Sequence, residues 1–244
     1  MSFRQFSNAV LRRFPRLSDK CYWDRFSIRK PRSIALCGIL LFVVVVGAYL
    51  YRELRLNIPR LESINAADRL SFYSHWETRF PQYRNLFIEA SGEHDLEWPL
   101  LSAVGYQESK WVADAVSPTG VRGLMMLTQA TANELGVRDR TEPAESINGG
   151  ARYLKYLTLR APKDLDQDGR RWFAVSAYNG GIGRLTTAYR QWVAIQGSEP
   201  DWYAFEKDML GAAENSALQV SMKYTRRVRD FYKIAGSLAE AEEN

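Results

Sequence analysis

One carboxylic acid, Glu108, lies where an acid that protonates a leaving group would be expected. An apolar stretch of helical periodicity precedes it, and a glycine-bounded turn at residues 117–123 and an apolar run at residues 124–127 follow it. A lone carboxyl at the end of an apolar helix, facing a turn rich in backbone N–H groups, suits a general acid that protonates the leaving oxygen of a sugar. These residues therefore predict cleavage of a polysaccharide.

The helix that would position this acid is predicted to begin at Trp98-Pro99, with the proline in the first helical position. It would end near Glu108. The negative end of a helix dipole and apolar neighbours both disfavour a carboxylate, so we expect a raised pKa for Glu108. A fraction of the side chain would then stay protonated at neutral pH, as a general acid requires.

The rest of the chain is predicted to be mainly α-helical, with no convincing alternating strand. An apolar face is predicted before Pro81, and it consists of Leu70, Tyr73, Trp76 and Phe80. Residues 83–90 continue the helical spacing. Further helices are predicted at residues 128–135, 147–159, 172–178 and 218–234. The last residues, 236–244, read as an acidic tail that frays.

The net charge of +5 belongs to one end of the chain. Residues 1–51 contain nine basic and two acidic residues, a charge of +7, whereas the remaining 24 basic and 26 acidic residues give −2. A basic face for nucleic acid on the folded part is therefore disfavoured.

Residues 33–51 contain no charged side chain, and at about 1.5 Å per residue they can cross a hydrocarbon core of roughly 30 Å. Basic residues are denser before this stretch than after it, which predicts a cytoplasmic N-terminus and a periplasmic remainder if the cell is Gram-negative. An uncleaved single-pass anchor in the bacterial inner membrane is favoured over a signal peptide, whose basic region would be unusually long. The predicted order is a basic cytoplasmic tail (1–32), a transmembrane helix (33–51), a helical juxtamembrane linker (52–89), a catalytic domain (90–235) and an acidic tail (236–244).

No metal site or cofactor is predicted. Cys21 and Cys37 lie in the tail and in the predicted span, and His75 and His94 show no paired ligand spacing.

An incomplete calcium-loop pattern occurs at residues 164–169. It has three alternating aspartates, but Val175 occupies the twelfth position, where a bidentate glutamate is needed. A polar turn is favoured, and calcium binding stays the alternative.

Five motifs occur in order along the chain. They are Glu108-Ser109-x-Trp111, Ser117-Pro118-x-Gly120, Gly123-Leu124-Met125, Ile147-x-Gly149-Gly150-x-x-Tyr153-Leu154 and Ala177-Tyr178-Asn179-x-Gly181-x-Gly183. In order and spacing they resemble the lytic transglycosylase domain of the soluble-lytic-transglycosylase (SLT) type over about residues 90–235. Met125-Met126-Leu127 is similar to the membrane-bound murein transglycosylase F branch. Two departures are Val112-Ala113, where Asn or Asp and then Pro are usual, and the solute-binding domain of that branch, to which the resemblance does not extend.

The resemblance implies a compact, helical, lysozyme-like fold of the goose type, with Glu108 as the sole catalytic acid and base. It implies a groove for peptidoglycan strands of alternating N-acetylglucosamine and N-acetylmuramic acid, without a cofactor. It also implies that Tyr224 hydrogen-bonds the catalytic carboxyl. The groove residues that it implies are Ser109, Ser117, Thr119, Met125, Met126, Tyr178, Asn179 and Tyr224.

A missing second carboxylate favours a lyase over a hydrolase. Two-carboxylate glycosidases need a second acid within about 5–9.5 Å of the first, yet residues 117–123 contain none, and Asp114 is expected in a solvated loop. The 2-acetamido oxygen of muramic acid could then stabilise the developing cation, and attack by the C6 hydroxyl would give a 1,6-anhydro end. The alternatives are a lysozyme-like hydrolase and an inactive glycan-binding scaffold in a cell-envelope complex. On a purely structural interpretation, Glu108 is an ordinary helix-end residue.

Overall fold

A computed structural model describes residues 41–47, 61–197, 201–211 and 216–243 of the chain. The chain divides into two compact units, Met1–Leu56 and Asn57–Asn244. Within the first unit, residues 41–47 are helical and exposed, whereas the basic tail and the rest of the predicted span at residues 33–51 lie outside the described residues. Among the described residues, no helix is both long and apolar enough to cross a membrane.

The second unit is built from helices, which confirms the predicted mainly α class. In its described residues the only β-structure consists of isolated bridges in the turn after Glu108. A 3-10 turn, Phe80–Gln82, separates the first two helices. The helices are α1 (Ala66–Thr78), α2 (Arg84–His94), α3 (Trp98–Ser109), α4 (Gln129–Glu134), α5 (Pro143–Arg160), α6 (Gln167–Gly180), α7 (Ile182–Gln196), α8 (Trp202–Gly211) and α9 (Ala217–Glu243).

Helix α3, which carries Glu108, lies largely within the core of this unit. It packs along α9 and against α2, while α6 packs on both α5 and α9. Most of α3 is buried on every side, as expected of a helix without a polar face. The helix begins at Trp98, so Pro99 occupies the second position and not the predicted first one. It ends where Lys110 adopts a left-handed conformation with φ of 56°.

Helix α1 packs as part of the same core, through a face that differs from the predicted one at two positions. Phe72 is fully buried, whereas Leu70 is 69% exposed. The reason is contact with α9, where the ring of Phe72 stacks on Phe231 at 5.2 Å between centroids. Trp76 and Phe80 are buried as predicted. The predicted linker at residues 52–89 is therefore, over its described residues, part of the folded unit.

Helix α9 continues through the residues predicted as a fraying tail, as far as Glu243. Leu238 packs against the core and Ala239 is buried, so the apolar spacing of the helix continues into residues 236–244. Glu242 accepts a hydrogen bond from Trp76 and pairs with Arg84 at 3.1 Å. Through these contacts with the N-terminal helices, α9 extends the folded unit beyond the predicted domain end at residue 235.

Candidate active site

Glu108 is the second-last residue of α3, and its carboxyl meets Tyr224 of α9. The Tyr224 hydroxyl donates a hydrogen bond to Glu108 Oε1 at 2.5 Å. Tyr224 is buried, whereas Glu108 keeps partial access to solvent. The close packing of α3 on α9 therefore produces a partly buried acid that is held through one carboxyl oxygen.

The surroundings of Glu108 raise its pKa to about 7. The largest cause is loss of hydration, since burial penalises the charged carboxylate. The hydrogen bond from Tyr224 and the charge of Lys110 act in the opposite direction, because both stabilise the carboxylate. At neutral pH both protonation states are consequently populated, which suits a group that first gives and then takes a proton.

Two tyrosines beside Glu108 remain protonated hydrogen-bond donors. Burial, followed by the neighbouring Glu108 charge, holds the pKa values of Tyr224 and Tyr178 well above their usual range. The Tyr178 hydroxyl donates to the backbone oxygen of Met125 at 2.8 Å. Tyr178 therefore joins α6 to the turn that follows α3.

Polar groups within that turn, residues 117–127, hydrogen-bond one another. Ser117 Oγ accepts hydrogen bonds from the backbone N–H groups of Thr119 and Val121, both at 3.2 Å. Gly123 has φ of +86°, and a Cβ there would lie 1.7 Å from the backbone oxygen of Arg140. Only glycine fits this position, which accounts for one motif glycine by sterics alone.

Met125 was predicted to line the groove, but its side chain lies in the core. Its side chain is fully buried, so it does not line an open groove. A Cβ on Gly150 would lie 2.6 Å from Met125 Cγ, and a Cβ on Gly105 would lie 3.1 Å from its sulfur. Met125 thus fills the space that glycines leave on α5 and α3, and it contributes its backbone oxygen, which Tyr178 binds. The next residue, Met126, is partly exposed with φ of 47°.

Ser109 also has a structural role. It is buried, its hydroxyl donates to the Gly105 oxygen at 3.2 Å, and it accepts from the Val112 N–H at 3.3 Å. The predicted groove residues Thr119 and Asn179 are exposed.

Trp111 of the same motif is a core residue. It is buried in a left-handed conformation with φ of 57°, and its indole N–H donates to the Ser102 oxygen at 3.0 Å. The chain thereby folds back on α3 directly after the acid.

Lys110 is a charged neighbour of Glu108 that the sequence reasoning did not single out. Its ammonium lies 4.3 Å from the ring centroid of Tyr106 and 5.0 Å from that of Phe231. Burial, reinforced by the charge of Arg227, lowers the pKa of Lys110 to about 8. The one feature of the sequence that pointed to Lys110 was its position two residues after Glu108.

Two of the three aspartates of the calcium-loop pattern have structural contacts of their own. Asp166 caps α6 by accepting from the Gly169 N–H at 2.7 Å. Asp168 accepts from Arg171, Trp172 and Tyr203. Within the described part of the chain, no three His, Cys, Asp or Glu side chains come together as a metal site.

Residues 85–203 match the transglycosylase SLT domain family. The chain carries a transglycosylase SLT domain. The resemblance seen in the sequence motifs is thereby confirmed. The matched stretch begins at residue 85, and the domain predicted from the sequence spans residues 90–235. Tyr224 lies beyond the matched residues, and the fold brings it to Glu108.

Relatives of the SLT domain include the membrane-bound lytic murein transglycosylase F of Marinobacter nauticus, which is 44% identical over 150 residues. The match covers 62% of this chain and 30% of that relative. A second, membrane-bound lytic murein transglycosylase F 1 of Alkalilimnicola ehrlichii, is 40% identical over 181 residues, or 70% of this chain and 36% of the relative. The matched stretches thus span about a third of these relatives' length.

Solved structures share the fold of the SLT domain. An inactive mutant of the lytic transglycosylase Slt from Pseudomonas aeruginosa superposes with a TM-score of 0.53 at 22% identity, over 67% of this chain and 25% of that one. A 70-kDa soluble lytic transglycosylase in complex with bulgecin A gives 0.51 at 22% identity, over 72% and 30% of the two chains. At this identity the likeness establishes the fold alone.

Proposed function

We propose that this chain is a lytic murein transglycosylase with Glu108 as its acid and base. It would cleave the β-1,4 bond between N-acetylmuramic acid and N-acetylglucosamine and leave 1,6-anhydromuramoyl ends. The SLT domain and the names of its relatives support the substrate class. The observation that carries the proposal is a partly exposed glutamate with a pKa of about 7, bonded through one carboxyl oxygen to Tyr224.

In the first step Glu108 acts as the general acid. Because Tyr224 donates to Oε1, the acidic proton of Glu108 belongs on Oε2. Glu108 Oε2 gives this proton to the glycosidic O4 while the bond from C1 to O4 breaks, and the 2-acetamido oxygen of the muramic acid stabilises the cation at C1. The carboxylate that forms keeps the hydrogen bond from Tyr224, which is stronger to a charged acceptor.

In the second step Glu108 acts as the general base. It removes the proton of the C6 hydroxyl of the same sugar while the C6 oxygen bonds to C1. The ring closes, Glu108 is protonated again, and no water is consumed. Intramolecular closure has a large advantage in effective concentration over attack by water.

The charges around Glu108 favour this route over a two-carboxylate hydrolase. Among the described residues, the groups that shift the pKa of Glu108 are Tyr224 and Lys110, and neither is a carboxyl. Asp114 is exposed, it raises the pKa of Tyr83, and it is not among the groups that shift the pKa of Glu108. A hydrolase would need a second carboxylate about 5–9.5 Å from the first.

The proposed setting is the periplasmic side of the inner membrane. It rests on the uncharged residues 33–51, with a cytoplasmic N-terminus predicted by the basic residues before them. The relatives' printed names include the term membrane-bound. In this setting the substrate is peptidoglycan near the membrane. Protein partners in an envelope complex would be expected only under the alternative hypothesis of an inactive scaffold.

Mass spectrometry of muropeptides released from purified peptidoglycan tests the proposal. The full 244-residue chain should release anhydro ends, and Glu108→Gln should release none while folding normally. Reducing ends as the main product would instead identify a hydrolase. No release by the wild-type chain, with binding to the glycan intact, would identify the inactive scaffold.

A further inference from the structure

Arg227 of α9 makes a second bond to the end of α3, beside the bond that Tyr224 makes. Arg227 Nε donates to Gln107 Oε1 at 3.2 Å. Gln107 directly precedes Glu108, and Arg227 follows Tyr224 by three positions, so the two residues of α9 lie on the same face of that helix. Two consecutive residues of α3 are therefore each held by a side chain of α9.

The guanidinium of Arg227 also reaches α1. Arg227 Nη1 donates to Asp68 Oδ2 at 2.9 Å, and Asp68 lies in the first turn of α1. Both side chains of this ion pair are only partly exposed. An arginine donates through several N–H groups in one plane, so a single side chain can bind Gln107 and Asp68 together. Asp68 and Arg227 both lie outside residues 85–203, the stretch matched to the SLT domain family.

An aromatic ring next to Arg227 helps to define its orientation. The guanidinium carbon lies 5.6 Å from the ring centroid of Phe231, which is fully buried one turn further along α9. Lys110, the C-cap residue of α3, has its ammonium 5.0 Å from the same centroid. The charge of Arg227 contributes to the lowered pKa of Lys110. Arg227 therefore contacts a ring, an amide oxygen and a carboxylate, and it lies near a second cation.

We infer that Arg227 is a positioning residue that holds the end of α3 on α9. Its bond to Gln107 keeps Glu108 within hydrogen-bond distance of Tyr224, and its ion pair with Asp68 orients the guanidinium from α1. Among the described residues, Arg227 is not one of the groups that shift the pKa of Glu108 directly, so its effect on the acid passes through geometry. The inference rests on the proposed function for the reaction that Glu108 performs.

Arg227→Lys in the full chain tests this role. Lysine keeps the positive charge, and with it the electrostatic effect on Lys110, but its ammonium cannot reproduce the planar fork. We expect kcat for muropeptide release to fall about tenfold while KM changes less than about twofold, because a displaced acid impairs the chemical step and not glycan binding. The alkaline limb of kcat should move to higher pH, as Glu108 loses part of the hydrogen bond that stabilises its carboxylate.

Arg138→Lys is the matched control. Arg138 Nη2 also lies 2.9 Å from a carboxylate, that of Glu145, but neither residue belongs to α3 or α9. This variant should leave kcat and its alkaline limb unchanged. If Arg227→Lys lowered the free energy of unfolding but matched Arg138→Lys in kcat and in the pH limb, Arg227 would only stabilise the fold, and the inference would be overturned.

A double substitution tests the path through Gln107. Gln107→Met removes the acceptor of the bond and should lower kcat in the same way as Arg227→Lys. Because the two residues act through one bond, Arg227→Lys should lower kcat by less than about a further twofold in the Gln107→Met background. Losses that multiply in full would contradict a path through Gln107.

Two variants of Asp68 test the contact with α1. Asp68→Asn and Asp68→Ala remove the same charge, but only asparagine keeps an oxygen that can accept from Arg227. Asp68→Ala should therefore lower kcat severalfold more than Asp68→Asn does. Equal losses in the two variants would mean that Asp68 acts through its charge and does not orient Arg227.

The positioning role and the proposed function can fail separately. NMR of chains labelled with ¹³C at the glutamate carboxyls measures the pKa of Glu108 without any reaction, and Glu108→Gln identifies its signal. If the wild-type chain releases no anhydro ends but Arg227→Lys still raises this pKa, the lyase proposal fails and the positioning role stands. If anhydro ends appear while Arg227→Lys matches Arg138→Lys in both the pKa and kcat, the positioning role alone fails.

Discussion

The hydroxyl of Tyr224 lies 2.5 Å from Glu108 Oε1, and this hydrogen bond joins the end of α3 to α9 across 116 positions of sequence. It works against the desolvation that raises the pKa of Glu108, because it stabilises the charged carboxylate. The balance of the two effects leaves the pKa at about 7. The bond also occupies Oε1, so proton transfer takes place on Oε2.

Replacement of Tyr224 by phenylalanine should move the pH profile upward. Without the hydrogen bond the carboxylate is less stable, so the pKa of Glu108 rises, by about one unit for the loss of one bond to a charged group. The protonated acid would persist to higher pH, and the alkaline limb of kcat/KM would shift in that direction. Tyr203→Phe, which removes a similar bond to Asp168, is the control. A shift to lower pH would contradict the role assigned to Tyr224.

Glu108 should reduce stability at alkaline pH. Its pKa is higher in the folded than in the unfolded chain, so its favourable contribution is complete below about pH 4.5 and is lost as the pH rises through about 7. Glu108→Gln removes this loss of stability, and the amide oxygen of the glutamine can still accept the hydrogen bond from Tyr224. We expect the variant to exceed the wild type by about 1–3 kcal/mol in free energy of unfolding near pH 8, after allowance for partial exposure.

Urea unfolding of both proteins near pH 5 and near pH 8 measures this difference. The advantage of Glu108→Gln should be small at the lower pH and grow toward the higher one. A constant difference across this range would mean that Glu108 titrates normally in the folded chain.

Gly150 should tolerate no side chain, because Met125 occupies the space. A Cβ there would lie 2.6 Å from Met125 Cγ, so Gly150→Ala forces Met125 and its backbone oxygen to move away from Tyr178. We expect a loss of about 1–3 kcal/mol in free energy of unfolding, together with reduced release of muropeptides.

Gly92→Ala is the matched control for this variant. Gly92 lies within α2, and a Cβ there would meet no atom within 4 Å. Alanine should therefore stabilise the chain by about 0.4–1 kcal/mol. If Gly150→Ala changed the free energy of unfolding as Gly92→Ala does, Met125 would not pack closely on α5.

The sequence was sufficient to single out Glu108 as the candidate acid and to predict the direction of its pKa shift, because the apolar residues before it predict the burial that raises the pKa. Tyr224 was predicted only through the family resemblance, since nothing in the sequence near it refers to residue 108. Asp166 could be assigned to a polar turn from its neighbours alone, and it caps α6.

The errors concern contacts between distant elements. The burial of Met125 depends on two glycines, one on α3 and one on α5, that leave space for it. The rotation of α1, which buries Phe72 and exposes Leu70, depends on the position of Phe231 in α9. Periodicity within one helix cannot reveal either arrangement, because it carries no information about the partner surface.

Asp230 should be essential for attaching the segment before α1 to the last helix. It is buried, and its carboxylate accepts hydrogen bonds from the backbone N–H groups of Glu62, Ser63 and Ile64, and from the Ser63 hydroxyl at 2.7 Å. Asp230→Asn replaces one acceptor oxygen by a donor that faces other donors. We expect a loss of about 2–4 kcal/mol in free energy of unfolding, with faster hydrogen exchange at residues 62–64.

Two further variants separate this attachment from general loss of stability. Ser63→Ala removes one of the bonds and should cost about 1 kcal/mol. Glu62→Ala changes an exposed side chain whose backbone N–H still binds Asp230, so it should cost almost nothing. If Asp230→Asn lowered stability but left exchange at residues 62–64 as slow as in Glu62→Ala, the buried carboxylate would stabilise α9 without anchoring the segment before α1.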